Sequence, residues 1–343
     1  MNRSRILAPW GIFASIVVLM VMPHSADAQA YPYTWTYTQL TDLHQQSRVG
    51  PSVTVDNNGM VYLAWAGTNG PQGGQAYLNI ATSSDGINFG GAMNPLSSTD
   101  WSLSNAAPGI TFFNGNIYYA WTGGSNHINI SYAAPSTSLS GAFLAHKSLV
   151  NISGATQTAA GSVALAASNG FLYLAWGGTG NNLLNVAKST DGTTWSKTTY
   201  GYSSPYSPSL AAGSTTVYMS WTASNQCLFL DVNGPLTTHN CSGTLPNGGG
   251  TYPYVPVLGT AGPGSVIYGG GLVSAYGACP NTPCNHLFLA QAGLSSNASV
   301  GYEVTPGIGV TGNPIILVRS GFNPLVYVTS GTEIQVASFS SLP

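Results

Sequence analysis

The chain is predicted to be an all-β repeat protein, a six-bladed β-propeller of four-stranded blades. Three observations predict it: a recurring Tyr-x-(Ala/Ser)-Trp tetrapeptide, a recurring opening of proline or small residue and apolar alternation followed by an Asn/Gly turn, and the lack of helical periodicity over any useful length. The tetrapeptide occurs as Tyr62-Leu63-Ala64-Trp65, Tyr118-Tyr119-Ala120-Trp121, Tyr173-Leu174-Ala175-Trp176 and Tyr218-Met219-Ser220-Trp221, with tryptophans 56, 55 and 45 residues apart. That spacing is the length of one four-stranded blade with its loops.

The chain is expected to start with a leader. Arg3 and Arg5 precede an apolar run over residues 6–22, and Ala28-Gln29-Ala30 offers a small-residue cleavage site. Residues 1–30 are therefore set apart as a signal peptide, and residues 31–343 are expected to form a single domain, secreted to the extracellular space or periplasm. No second apolar run reaches membrane length, so no membrane span is expected after cleavage.

Each repeat unit opens with a proline or small residue before an apolar alternation, as in Pro51-Ser52-Val53, Pro108-Gly109-Ile110 and Pro208-Ser209-Leu210. Proline suits the first position of a strand, where no ladder donor is needed. A tight turn follows (Asp56-Asn57-Asn58-Gly59, Asn114-Gly115, Asn169-Gly170), then the Tyr-x-x-Trp strand, a Gly/Thr/Asn loop and a third strand such as Leu78-Asn79-Ile80, Ile128-Asn129-Ile130 or Leu184-Asn185-Val186. Two later units keep the order more loosely. Pro256-Val257-Leu258 opens a fifth, with Val266-Ile267-Tyr268 and Leu287-Phe288-Leu289 as strands. Pro314-Ile315-Ile316 opens a sixth, which runs out of chain after Val326-Tyr327-Val328 and Glu333-Ile334-Gln335-Val336. Its missing outer strand is assigned to the N-terminal segment 33–40, a terminal-strand closure that would hide both sheet edges.

After the third strand the first unit reads Ser83-Ser84-Asp85-Gly86-Ile87-Asn88-Phe89 and the third Ser189-Thr190-Asp191-Gly192-Thr193-Thr194-Trp195. These resemble the Asp-box (BNR repeat) of the sialidase-like propeller superfamily, S-x-D-x-G-x-x-W, with one residue fewer between Asp and the aromatic. The resemblance implies a hairpin turn between third and fourth strands, in which Asp85 and Asp191 bind turn amides and the aromatic packs inward. It also implies that the box serves folding, not catalysis. For a sialidase it would further imply three arginines around a substrate carboxylate, a Tyr–Glu nucleophile pair and an Asp acid/base. Arg48, in Ser47-Arg48-Val49-Gly50-Pro51, stands where the family has its first arginine, but only Arg319 remains as a second one after the leader, so the triad is not found.

Composition narrows the partners. Charged residues are 5% of the chain, against ~25% in typical soluble domains. After the leader the strong cations are Arg48, Lys147, Lys188, Lys197 and Arg319, too few and too scattered for a phosphate-neutralising patch, so no nucleic-acid partner is expected. The expected partners are neutral glycans or cell-surface polysaccharide, met through hydrogen bonds and aromatic faces.

No catalytic set can be chosen from spacing. Of the acids, Asp85 and Asp191 are box residues and Asp56 sits in a turn. Asp231 occupies the third-strand position of Asn79, Asn129 and Asn185, and Asp42, Asp100, Glu303 and Glu333 offer no defined pair for glycoside hydrolysis. There is no G-x-S-x-G elbow, and the histidines show no metal or catalytic spacing; no metal or cofactor is expected. Four cysteines in an exported chain point to disulfides, and pairing sequence neighbours gives Cys227–Cys241 and Cys279–Cys284.

The candidate ligand-binding residues are the repeated tryptophans and the polar loops after them: Trp65 with Asn69, Trp121 with Asn126, Trp176 with Thr179, Trp221 with Asn225, and Arg48 beside them. Aromatic faces and amides are the groups that read a sugar ring and its hydroxyls. The same tryptophans could instead fill the wedges between blades, because Tyr62 and Trp65 point to opposite faces of one strand. The leading expectation is thus a lectin-like, non-catalytic propeller, with a glycoside hydrolase of sialidase-like fold and a structural or adhesive extracellular protein as the alternatives.

Overall fold

A computed structural model of the protein describes residues 34–68, 76–96, 103–104, 106–223, 228–230, 264–268, 271–278, 286–293, 299–305 and 307–342. The chain divides into two units, Met1–Tyr31 and Pro32–Pro343. The four cysteines, Asn69, Asn225, Asp100, Asp231 and Pro256–Leu258 lie outside the described residues, as does the predicted leader.

The second unit is all-β, with a single 3-10 turn among its described residues at Leu144–His146. Its described strands form seven sheets: a two-stranded one, Asn151–Ile152 with Ala155–Thr156, and six larger ones in chain order. The first holds Ser52–Val55, Val61–Ala66, Ala76–Ser83 and Leu103–Ser104; the second Gly109–Phe113, Asn116–Thr122, Ile128–Ala133 and Ser148–Leu149; the third Ala159–Ser168, Phe171–Gly178, Leu183–Ser189 and Ser196–Ser203. The fourth shows Ser209–Ala212, Val217–Thr222 and Leu228–Leu230; the fifth holds Gly264–Tyr268, Gly271–Ala278, His286–Gly293 and Ser299–Thr305; the sixth Ile315–Leu317, Leu325–Ser330 and Glu333–Ser338. All these pairings are antiparallel, as a meander joined by short turns requires. The first strands of successive sheets touch one another, and the first strand of the sixth touches that of the first. This is an arrangement of β-propeller type.

One expectation is corrected. The strand that completes the sixth sheet is Gln39–Gln46, paired with Glu333–Ser338 through Leu40↔Ala337 and Thr41↔Val336, not residues 33–40 as a whole. Thr34–Thr36 instead adds in parallel to Ser299–Thr305 of the fifth sheet. In that sheet Val266–Tyr268 and Leu287–Leu289 lie in strands as expected, and Gly271–Ala278 between them is a strand that the sequence pattern did not reveal.

The tryptophans show how the sheets are joined. Each faces the preceding sheet: Trp121 clusters with Ala64, Ala66 and Leu78 of the first sheet, Trp176 with Ile128 and Ile130 of the second, Trp221 with Ala175 and Leu184 of the third. Trp65 clusters with Leu317, Leu325, Tyr327 and Val336, so the same device joins the first sheet to the last. The tyrosine three residues earlier turns the other way, Tyr62 toward the second sheet and Tyr118 toward the third. The period-2 alternation of a strand thus lets one tetrapeptide serve two seams. A fully buried Trp removes about 150–250 Å² from water, roughly 4–6 kcal/mol of transfer free energy per residue.

An up-and-down meander puts alternate connections at opposite ends. At one, the turn end, lie the Asn114-Gly115 and Asn169-Gly170 hairpins, with both residues of each at positive φ, and the two Asp-box turns. The other, the loop end, carries the connections after each Trp strand and the crossings from one sheet to the next.

Candidate functional site

The carboxylates divide by the bonds they accept. At the Asp-box of the first sheet, Asp85 Oδ1 accepts from the Ile87 and Asn88 amides at 2.8 and 2.7 Å and from Ser83 Oγ at 2.8 Å. Asp191 repeats this with Thr193 and Thr194 at 2.7 Å and Ser189 at 2.9 Å. Burial alone would raise the Asp85 pKa, but the Asn88 and Ile87 amides, the Asn88 carboxamide and the Ser83 hydroxyl outweigh it and hold the carboxyl well below the usual range. For Asp191 the Thr194 and Thr193 amides do the same. Both remain ionised and committed to the turn. Gly86 and Gly192 adopt positive φ, and the turn they shape docks on the preceding sheet: Tyr327 Oη donates to Gly86 O at 2.8 Å and Tyr118 Oη to Asp191 O at 3.4 Å.

Asp56 is equally occupied, accepting from the Asn58 and Met60 amides at 2.8 and 3.0 Å and from Tyr62 Oη at 3.0 Å. Burial, then the bond to Asp56 and its charge, push the Tyr62 hydroxyl well above its ordinary pKa. Asp42 lies on the outer strand of the sixth sheet, and Glu333 begins the neighbouring strand and accepts from Gln46 Nε2 at 2.9 Å. Glu303 lies in the outermost antiparallel strand of the fifth sheet, paired with Phe288. A cavity of about 120 Å³ is lined by the first strands of five sheets, including Ser52, Ile110, Val163, Ser209 and Ile315, and none of its lining residues is charged. Among the described residues no carboxylate pair therefore faces that cavity. No three His, Cys, Asp or Glu side chains among the described residues group as metal ligands.

The two arginines part company. Arg319 donates to the carbonyls of Ser84, at 3.0 Å, and Asp85 at the turn end, so it secures the first box. Arg48 stands before the strand Ser52–Val55 at the loop end and donates to Thr68 O at 2.9 Å. Because they occupy opposite ends of the meander, they cannot grip one substrate carboxylate.

The loop end is polar, with few charges and recurring hydroxyls and amides. Thr68 Oγ1 donates to Gln46 Oε1 at 3.1 Å beside Arg48; two crossings further round, Thr158 and Thr179 hydroxyls meet at 2.7 Å and Lys197 Nζ donates to Gln157 Oε1 at 2.9 Å. Of the predicted ligand-binding residues, Arg48, Asn126 and Thr179 are exposed here, on three different connections. Trp65, Trp121, Trp176 and Trp221 are at most 2% exposed, which corrects the expectation that they offer stacking faces: their rings are consumed by the seams.

The repeat pattern gives the third-strand Asn position but not its bonds, and a second repeated feature escapes the pattern altogether. Opposite each Trp of the first three sheets stands Asn79, Asn129 or Asn185, whose Nδ2 bonds back to the carbonyl two residues earlier at 2.8–3.0 Å. A glycine two residues past the Trp makes room for it; a Cβ on Gly67 or Gly123 would come within 2.8 Å of the Asn nitrogen. In the fourth sheet the register places Phe229, not Asp231, opposite Trp221. The second feature is the inward crossing: Ser47, Ser104 and Ser204 are buried and accept from the amide two residues on, with a proline four residues on. Ser47 and Ser204 also bond the carbonyl just past the Trp, tying crossing to loop.

No family model matches the chain, and no curated protein matches it. Among solved structures, it is similar to a triple arginine-to-alanine mutant of AofleA from Arthrobotrys oligospora (9% identity, 89% of this chain and 87% of that one, TM-score 0.54). It is also similar to an endo-arabinase from Bacteroides thetaiotaomicron (11%, 91% and 99%, 0.47) and to a neuraminidase-like protein of A/little yellow-shouldered bat/Guatemala (11%, 88% and 98%, 0.49). At such identities the likeness is one of fold.

Proposed function

We propose that the chain is an exported six-bladed β-propeller that recognises neutral carbohydrate at its loop end, without catalysis. The observation that carries this is the division of labour among polar groups: the described Asp side chains of the turns and both boxes are bound to turn amides, while the loop end presents hydroxyls and amides at the sixth–first and second–third seams, where Arg48 and Lys197 donate to Thr68 O and Gln157. Such groups suit sugar hydroxyls, and repetition round a ring supports multivalent contact with a polysaccharide. Export by cleavage after residue 30 and the disulfides Cys227–Cys241 and Cys279–Cys284 belong to the same proposal.

Glycoside hydrolysis is the second reading, because one fold hosts many functions and an endo-arabinase is among the proteins to which the chain is similar in fold. It needs two carboxyl groups about 5–9.5 Å apart across a glycosidic bond, and the described carboxylates that carry bonds are each engaged in a turn or an outer strand. A glycan array on the purified secreted chain, run beside chromogenic arabinoside, xyloside and sialoside assays, separates the readings. Binding without turnover is expected; turnover of any of the three glycosides would replace recognition by hydrolysis.

A further inference from the structure

One seam differs from its sisters. In the first three sheets the position opposite the seam Trp is Asn and the position two past it is Gly; in the fourth they are Phe229 and Ala223. The residue two past the buried serine of the inward crossing is Val49 or Ala106 before the first and second sheets, but Tyr206 before the fourth, its amide on Ser204 Oγ at 3.0 Å. Tyr202, on the outer strand of the third sheet, lies 5.9 Å from Trp221, and Phe229 stacks on Trp221 at 5.2 Å with the rings 10° apart.

Trp221 itself is buried, whereas Tyr202, Tyr206 and Phe229 are each half-buried. Packing does not require this set: the first three sheets carry Asn and Gly at the first two positions, and the crossings before the first and second sheets carry Val49 and Ala106 at the third. The seam between third and fourth sheets thus holds its aromatics at the loop end with part of their surface in water, packed on the buried Trp221.

We infer that this seam is the stacking platform of the loop end, and that its occupant is a neutral pyranose residue of a glycan chain. The inference rests on the recognition reading above and places it at one seam. The apolar C–H face of a sugar ring packs on aromatic faces held in place, with little entropy lost by the side chains. Neutrality follows from the charges nearby. The cation on the same strand as Tyr202, Lys197, spends its ammonium on Gln157 at 2.9 Å, toward the second sheet. Asn182 and Ser207, both half-buried beside the crossing, are neutral groups of the kind that pair with sugar hydroxyls.

The test compares three variants with the wild-type chain by titration calorimetry against xylohexaose, mannohexaose, laminarihexaose and cellohexaose. The double variant Ala223→Gly/Phe229→Asn installs the corner of the sister sheets, Tyr206→Ala removes the crossing aromatic, and Phe322→Ser changes an exposed ring at the opposite end. A tenfold or greater loss of affinity is expected in the first two and none in the third. If the double variant fails to give the wild-type circular dichroism spectrum, Tyr206→Ala alone decides. Wild-type binding that both seam variants retain overturns the platform while leaving glycan recognition standing. Wild-type chain that binds none of the four oligosaccharides overturns both.

Discussion

The hydroxyl of Tyr327 donates to the carbonyl of Gly86 at 2.8 Å, across 241 residues of sequence. This bond fastens the Asp-box turn of the first sheet onto the second strand of the last, as Tyr118 fastens the box of the third sheet onto the second. Burial holds the Tyr327 hydroxyl in its neutral donor form, with a pKa far above the ordinary value. Tyr327→Phe would leave the Gly86 carbonyl without this donor in a dry seam, and a loss of about 1–3 kcal/mol is expected in urea unfolding. A midpoint unchanged from wild type would mean that the bond between first and last sheets adds nothing to stability.

The two box carboxylates give the fold an acid limit. Their folded pKa values are depressed relative to an unfolded Asp, so their stabilising contribution is complete above about pH 4 and is lost as pH falls toward the folded values. Thermal melts of wild type should fall steeply below pH 4. Asp85→Asn/Asp191→Asn should be less stable at pH 7 and show a flatter profile; parallel curves for the two proteins would contradict the assignment.

At the corner of the second sheet a methyl on Gly123 would approach Asn129 Nδ2 to 2.8 Å, and that nitrogen is already bound to His127 O at 3.0 Å. Gly123→Ala is expected to destabilise by about 1–3 kcal/mol, the range for overpacking a filled site. Ala223→Gly, where the partner is Phe229, should cost less than about 1 kcal/mol. Equal melting shifts for the two substitutions would remove the steric explanation.

Much of this was legible in the sequence because it repeats. The Tyr-x-x-Trp strands, the Asn-Gly hairpins and the two boxes announce themselves by period, and Pro314-Ile315-Ile316 opens the sixth sheet as expected. The Trp positions were legible but not their role, since stacking on a ligand and filling a seam demand the same residue at the same spacing; only burial separates them. The Ser47, Ser104 and Ser204 crossings were hidden by composition, in a chain where serine is common everywhere. The Phe229 register was missed because the shortened repeat invited alignment on Asp231, while the ladder counts from Trp221. The N-terminal strand was placed too early because Thr34–Thr36 also has strand alternation, and finds its own partner in Ser299–Thr305.

The two N-terminal strands should differ in weight. Gln39–Gln46 contributes the fourth strand of the last sheet and buries Leu43 in the seam with the first, whereas Thr34–Thr36 adds three residues to the edge of the fifth. Removing residues 31–46 is expected to abolish cooperative unfolding, and removing residues 31–37 to lower the melting temperature by only a few degrees. A 31–46 deletion that melts like wild type would show that the last sheet does not need its N-terminal strand.

Recognition of a neutral glycan without turnover is tested most directly by saturation-transfer NMR of the purified chain with xylo-, manno-, arabino- and cello-oligosaccharides, followed over a day. Saturation passing from protein to sugar ring protons of at least one of them, with the anomeric signals unchanged from first spectrum to last, is the predicted result. Growth of new reducing-end anomeric signals, or no transfer to any of the four, would contradict it.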